Sequence, residues 1–245
     1  YRVPQEVQKI ADKILSLITD DRRIKKTWAP RPETGTINHI TSIEDAPLYS
    51  DDWLILGRTN NVLIKLKPVL KDMAIYFEIK GRKSYKTRLY TAVKNYTRWT
   101  NGDKLSMSEC KDLFEFLELD KELKEERMYG LEEFGYSITD QWYEVFKSDP
   151  EENLYIREML RNEQKLSEPA KVKLSTIHAA KGGEATNVLI ILDNTKKIRE
   201  AMDRSEDKRD EENRVWYVGV TRTKQNLFIM TAKQEDRGYD IESIT

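Results

Sequence analysis

The stretch STIHAAKGGEATNVLII, at Ser175–Ile191, decides the fold, because it places a compact polar turn between two apolar runs. The runs, Val172–Ile177 and Asn187–Leu192, are rich in branched residues and predict two β-strands. The turn between them contains a lysine, two glycines and a glutamate. Small residues let a backbone approach a polyanion closely, and the lysine adds positive charge. Taken alone, this stretch is best explained as an ordinary turn with surface charges.

A second segment, EENRVWYVGVTRTKQNLFI at Glu211–Ile229, carries two arginines and ends in a predicted strand, Asn226–Ala232. A helix is predicted at Val215–Thr223; Arg214 immediately precedes it and Arg222 lies near its end. Trp216 and Tyr217 on this helix are expected to be core residues. An arginine fixed by a packed helix has lost much of its freedom, which suits it to neutralise a phosphoryl group in transfer. The alternative is a solvated arginine that favours a helix C-terminus.

Composition restricts the class of protein. The 245 residues, 38% hydrophobic and 35% charged, allow one large domain or two small ones. No apolar run approaches the ~20 residues of a membrane span, so we expect no membrane partner. A single cysteine, Cys110, excludes an intrachain disulfide framework and fits a cytoplasmic protein. With two histidines it also argues against a structural zinc site, and no metal site is expected. A net charge of −1 argues neither for nor against DNA binding.

The pattern along the chain predicts an α/β domain with a helical interruption. An amphipathic helix follows Pro4, and because the sequence begins directly with this helix we expect that the chain was cut from a larger protein. From about Tyr85 to Ser167, apolar residues recur only at the spacing of a helix face. The charged run 196–213 predicts exposed helix or loop, and the tail 233–245 has little to bury. Further strands are expected at Thr36–Ile40, Trp53–Leu56 and Ala74–Ile79.

Five segments, in order, resemble superfamily 1 DNA helicases of the UvrD/Rep type. The two segments quoted above resemble the family's motifs V and VI, and YVGVTRT is the most specific string. Tyr1-Arg2 before a helix is similar to motif IV, while WLILGRTNN (53–61) and AIYFEIKGRKSY (74–85) are similar to the segments that follow it. The resemblance implies a RecA-like parallel sheet flanked by helices, at 1–85 and 168–245, with a helical accessory insertion at 86–167.

The resemblance also implies ATP-dependent movement on single-stranded and duplex DNA, with 3′-to-5′ direction, in repair or replication. ATP and Mg²⁺ would lie between this domain and an N-terminal RecA-like domain that brings the Walker A and Walker B motifs. No Walker A string occurs in this sequence, so we expect the chain alone to be inactive. The oligomeric state is left open.

Site residues follow from the matching positions. Arg222 and Arg2 would reach the γ-phosphate, Glu184 would lie near the ribose and triphosphate, and Arg214 would bridge to Glu184 or to the phosphates. The expected DNA contacts are Thr176, His178, Lys181, Arg58 and Asn60. A core role for His178 and a capping or turn role for Arg58 and Asn60 remain open.

Other interpretations also remain open. A basic cluster could meet DNA phosphates or could be a solvated stretch; it comprises Lys80, Arg82, Lys83, Lys86 and Arg88. The parent protein could be a helicase–nuclease subunit, or the chain could be a non-catalytic module that binds DNA or a partner. An unrelated α/β nucleotide-binding enzyme is disfavoured, because the chain has no glycine-rich phosphate loop of its own.

Overall fold

A computed structural model describes residues 3–23, 31–137, 139–233 and 235–241. These residues form two compact units, which we call the sheet unit (up to residue 82 and from 169 onward) and the helical unit (83–168). Within the described chain, no helix combines the length and the apolar character needed to cross a membrane.

The described residues form seven strands: β1 (Thr36–Ile40), β2 (Trp53–Gly57), β3 (Phe77–Ile79), β4 (Arg82–Lys83), β5 (Val172–Thr176), β6 (Ala185–Ile191) and β7 (Thr223–Met230). Six parallel strands form the body of the sheet, in the order β1-β7-β6-β2-β5-β3, and the short β4 follows at the end. Because all six run the same way, one edge carries their amino ends and the other their carboxyl ends; we call these the amino edge and the carboxyl edge.

Helices cover both faces of the sheet, which explains why β2 is buried along its whole length. One apolar layer contains residues of α1 (Gln5–Ser16), α8 (Lys196–Arg204) and α9 (Glu206–Val220). The other contains residues of α2 (Asn60–Ile64) and α3 (Lys67–Asp72). This parallel sheet between two helical layers confirms the predicted RecA-like α/β fold.

The helical unit contains α4 (Thr87–Thr100), α5 (Met107–Leu117), α6 (Trp142–Val145) and α7 (Pro150–Arg161). Aromatic rings pack in its core, and Ser106 and Glu109 form a capping box at the start of α5. Burial raises the pKa of the Cys110 thiol to about 11. The sequence of this unit holds 14 basic and 19 acidic residues, a net charge of −5, against 28 and 24 in the rest of the chain.

Two expectations were wrong in part, and both concern burial. The charged run after β6 forms the helices α8 and α9, and many of its residues are exposed as expected, but Asp210, Glu212 and Asn213 on α9 are buried. The tail was expected to have little to bury, but Ile241 is fully buried and Tyr239 stacks on Trp216 with ring centroids 4.8 Å apart; residues 242–245 lie outside the described part of the chain. Packing of α9 against α1, the end of β2 and the tail buries these residues, although the sequence around them is polar.

Candidate functional site

Arg222 lies at the amino edge, between the end of α9 and the first residue of β7. Its Nε donates to the carbonyl of Val218 at 2.9 Å, and its Nη1 lies 3.5 Å from the carbonyl of Gly183. A third contact joins Nη2 to Thr221 Oγ1 at 3.5 Å. The arginine therefore faces the turn between β5 and β6, residues 177–184, which we call the 177–184 turn.

The charge of Arg222 is not neutralised within the described part of the chain. All three acceptors are uncharged, and no described carboxylate forms an ion pair with it. The residue is half-buried, so its guanidinium is positioned by the protein and still reaches solvent. A positioned cation without a carboxylate partner can bind an external anion such as a phosphate group.

Glu184 and Lys224 extend this site. Their side chains form an ion pair at 3.5 Å, and each is nearly 40% exposed. Such an exposed pair adds little stability, so either group can exchange its partner for a ligand. Lys224 was missed by sequence reasoning, although its position two residues after Arg222 was the available signal.

The 177–184 turn runs from the carboxyl end of β5 to the amino end of β6. Gly182 has φ +91°, a left-handed conformation that favours glycine. Thr176 Oγ1 accepts a hydrogen bond from Ala179 N at 3.3 Å, and both His178 and Lys181 are exposed. The alternative of a core role for His178 is therefore wrong.

Asp52 stabilises the same edge of the sheet. It precedes β2 and accepts hydrogen bonds from the main-chain N and the hydroxyl of Thr186 on β6. Burial raises the pKa of Asp52, but the hydrogen bonds with Thr186 and the charge of Lys224 outweigh this effect, so the pKa is below its ordinary value.

At the carboxyl edge, Arg58 is fully engaged in an ion pair. Its Nε and Nη2 donate to the two carboxylate oxygens of Glu212 on α9, at 2.7 and 2.6 Å. The two side chains are only 17% and 11% exposed. Arg58 thus ties the end of β2 to α9, a role that sequence reasoning did not foresee.

The remaining predicted residues lie apart from Arg222 or outside the described residues. Asn60 is exposed at the first position of α2, where Thr59 occupies the cap position without a side-chain cap hydrogen bond. Arg214 donates to the carbonyl of Arg22 at 2.8 Å, so the suggested bridge to Glu184 is not formed. Arg2 lies outside the described residues.

Four residues of the predicted basic cluster, Lys80, Arg82, Lys86 and Arg88, are exposed, and two of them form ion pairs. Lys86 pairs with Asp149 at 3.8 Å, and Arg88 forms an ion pair with Glu115. Lys83 donates to a tyrosine hydroxyl and a carbonyl within the helical unit.

The described residues include no group of three or more His, Cys, Asp or Glu side chains that could hold a metal ion. The positive charges at the amino edge fit the phosphates of a nucleotide. A Mg²⁺ ion bound with a nucleotide is usually held by the phosphates, by waters and by one or two carboxylates.

Comparison with known families identifies one match. The model described as UvrD-like helicase C-terminal domain matches residues 79–234, more than half of the chain. The matched range contains the helical unit and both quoted segments, including Glu184 and Arg222. No curated protein matches the chain.

Proposed function

The chain belongs to the UvrD-like helicase C-terminal domain family, and we propose that it completes the ATP site of a DNA helicase or translocase that moves 3′ to 5′. The observation that carries this proposal is the placement of Arg222, which is fixed at the end of a packed helix and, among the described residues, contacts only uncharged acceptors. ATP and Mg²⁺ are held mainly by the Walker motifs of an N-terminal RecA-like domain.

In this proposal, Arg222 acts as the arginine finger. Its fork of N–H donors stabilises the negative charge that develops on the γ-phosphate oxygens during transfer, an effect that can exceed a thousandfold in rate. The hydrogen bond from Nε to Val218 holds the side chain in place, which leaves Nη1 and Nη2 to turn toward phosphate oxygens. Arg2 is proposed as the second arginine on the basis of the resemblance alone.

Glu184 and Lys224 adjoin the finger on the ribose and phosphate side. Their exposed ion pair is exchangeable, so Lys224 can approach a phosphate while Glu184 accepts from a ribose hydroxyl. A contact between Arg214 and the phosphates remains a proposal, because in the structure its side chain donates to a main-chain carbonyl.

DNA contact is proposed for Thr176, His178 and Lys181. These residues belong to a single segment that begins at the carboxyl edge and ends at the amino edge beside Arg222. A turn that contacts DNA at one end and the nucleotide site at the other can couple strand binding to hydrolysis. Asn60 is exposed and remains a proposed DNA contact. Arg58 is proposed to support the DNA contacts indirectly, through its ion pair with Glu212.

We propose that the helical unit is an accessory insertion. Its net charge of −5 disfavours a strong contact between the unit as a whole and duplex phosphates.

The proposal is tested by DNA-stimulated ATP hydrolysis in the full-length protein. Arg222→Ala is expected to lower kcat about a thousandfold, because transition-state charge is no longer neutralised. Arg204→Ala is the matched control, because Arg204 is exposed on α8 and its only ion pair within the described chain is with Glu200 at 3.9 Å. The chain alone should show no ATP turnover. Equal rates for the two variants, or turnover by the chain alone, would contradict the proposal.

A further inference from the structure

We propose that Asp52 is a positioning residue of the nucleotide site, because it fixes the amino end of β6 and thereby sets the position of Glu184. Asp52 lies at the amino edge, directly before β2, and β6 lies between β2 and β7 in the sheet. Asp52 and Arg222 therefore border the start of β6 from opposite sides. This inference rests on the proposed function, in which Glu184 accepts a hydrogen bond from the ribose of the nucleotide.

Asp52 holds the first residues of β6 through its side chain and its main chain. Its carboxylate accepts hydrogen bonds from the main-chain N of Thr186 at 3.0 Å and from the Thr186 hydroxyl. Its main-chain carbonyl accepts from the N of Asn187 at 3.1 Å. Hydrogen bonds to an ionised acceptor are stronger than those between neutral groups. The contact with Thr186 is therefore a firm link between the starts of β2 and β6.

Arg222 holds the same segment from the other side. Its main-chain carbonyl accepts from the N of Ala185 at 3.2 Å, and its Nη1 lies 3.5 Å from the carbonyl of Gly183. Glu184 is the residue between these two contacts. The main chain around Glu184 is thus held by Arg222 on the β7 side and by Asp52 on the β2 side.

Lys224 orients the side chain of Glu184, and Asp52 acts on Lys224 as well. The ion pair between Lys224 and Glu184 has a distance of 3.5 Å. Burial raises the pKa of Asp52, but the hydrogen bonds with Thr186 and the charge of Lys224 hold the pKa below its ordinary value, so Asp52 is ionised at neutral pH. Lys224 therefore keeps a carboxylate nearby when Glu184 exchanges it for a ribose hydroxyl.

Space for a ligand lies against the same contacts. A cavity of about 520 Å³ opens at the amino edge, and its lining includes Thr186 and Lys224. This volume lies in the range of small-molecule pockets. Because Asp52 anchors Thr186, a shift at the start of β6 would change the wall of this cavity together with the position of Glu184.

The effect of Asp52 should fall on nucleotide binding rather than on the chemical step. Arg222 is held by its own helix, since its Nε donates to the carbonyl of Val218 at 2.9 Å. Loss of the Asp52 carboxylate leaves that contact in place but loosens the start of β6, so Glu184 is no longer held at a fixed distance from the ribose. A contact that is equally strong with substrate and with transition state appears in KM and not in kcat.

The test is DNA-stimulated hydrolysis by the full-length protein of ATP and of its dideoxy analogue, which lacks both ribose hydroxyls. For wild type we expect a KM about tenfold higher for the analogue, because the hydrogen bond to the Glu184 carboxylate is lost. Asp52→Ala should raise the KM for ATP about tenfold, change kcat less than about twofold, and reduce the preference for ATP to about twofold or less. Glu184→Ala removes the acceptor and should lose the same preference.

A second variant and a control separate positioning from stability. Thr186→Val keeps the branched shape and the main-chain hydrogen bond to Asp52, so the KM for ATP should rise only about threefold. Combined with Asp52→Ala it should add nothing further, because both changes break one contact. Asp45→Ala is the matched control, since Asp45 also accepts two main-chain hydrogen bonds, from Thr41 and Ser42, but lies after the carboxyl end of β1. It should leave both KM values unchanged.

The inference is overturned if Asp52→Ala and Thr186→Val both keep the wild-type preference for ATP while Glu184→Ala loses it. It is also overturned if Asp45→Ala raises KM as much as Asp52→Ala, because the effect then comes from a general loss of stability. If wild type shows no preference, or Glu184→Ala keeps it, the ribose contact and this inference fall together. An unchanged kcat in Arg222→Ala removes the finger role alone, so the two proposals can fail separately.

Discussion

Arg222 at the amino edge and Arg58 at the carboxyl edge are the same residue type in opposite electrostatic situations. Arg222 contacts two carbonyls and a hydroxyl, so no described carboxylate neutralises its charge. Arg58 makes two charge-assisted hydrogen bonds to Glu212, with both side chains largely buried. The sequence placed both arginines near ligands, yet only one has a charge that the described chain leaves uncompensated.

The comparison teaches that the partner of an arginine, rather than its position in a motif, decides what it can do. A buried arginine paired with a carboxylate is held in place, and removing either partner leaves an uncompensated charge. An arginine held by neutral acceptors is oriented and remains able to attract a phosphate. The two residues should therefore respond differently to substitution.

The largest effect on stability is expected from Glu212→Ala. It leaves the Arg58 guanidinium unpaired in a site that is 17% exposed, which should lower the free energy of unfolding by about 2–4 kcal/mol. Urea unfolding of the purified chain measures this value. The double variant Arg58→Met/Glu212→Leu removes both charges and should recover most of the loss. A loss below 1 kcal/mol for Glu212→Ala would mean that Arg58 is free to turn to solvent, and the contrast with Arg222 would disappear.

A smaller effect is expected from Asp52→Ala at the amino edge. It removes two hydrogen bonds from Thr186 to a carboxylate and should cost about 1–2 kcal/mol at neutral pH. The pKa of Asp52 is lowered by folding, so its contribution is complete above the ordinary pKa of 3.8 and is lost as the pH falls through the folded value. Stability curves of wild type and variant should converge in acid. Parallel curves between pH 3 and pH 7 would show that Asp52 does not cause this pH dependence.

The smallest effect on stability is expected from Arg222→Ala. Its acceptors are neutral and its side chain is half exposed, so the free energy of unfolding should change by less than about 1 kcal/mol. The same denaturation assay measures it. A loss comparable to that of Glu212→Ala would make Arg222 a structural residue and would remove the main support for a finger role.

Much of the fold was readable from local pattern. The strand around Thr36–Ile40 was predicted, and β5, β6 and the helices around them follow from runs of branched residues and from apolar residues at helical spacing. The predicted strand at Ala74–Ile79 shrinks to Phe77–Ile79, because Ala74 adopts a positive φ at the end of α3. Boundaries of this kind depend on turn geometry, which periodicity does not report.

The sites were predicted less completely, because they depend on pairs of residues that are distant in sequence. The resemblance implied that Arg222 and Glu184 lie near one nucleotide, and in the structure Arg222 Nη1 lies 3.5 Å from the carbonyl of Gly183, the neighbour of Glu184. The pairing of Arg58 with Glu212 joins residues 154 positions apart, and sequence reasoning did not foresee it.

By itself, the sequence determined the order of strands and helices, the small-residue turn with its lysine, and the arginine at the end of a packed helix. These features follow from side-chain periodicity and backbone preference, which act over a few residues. Tertiary structure alone decided which charges are neutralised and which polar residues of α9 are buried. Those outcomes depend on the alignment of parallel strands and the packing of α9 against them, and such contacts leave no periodic trace in the chain.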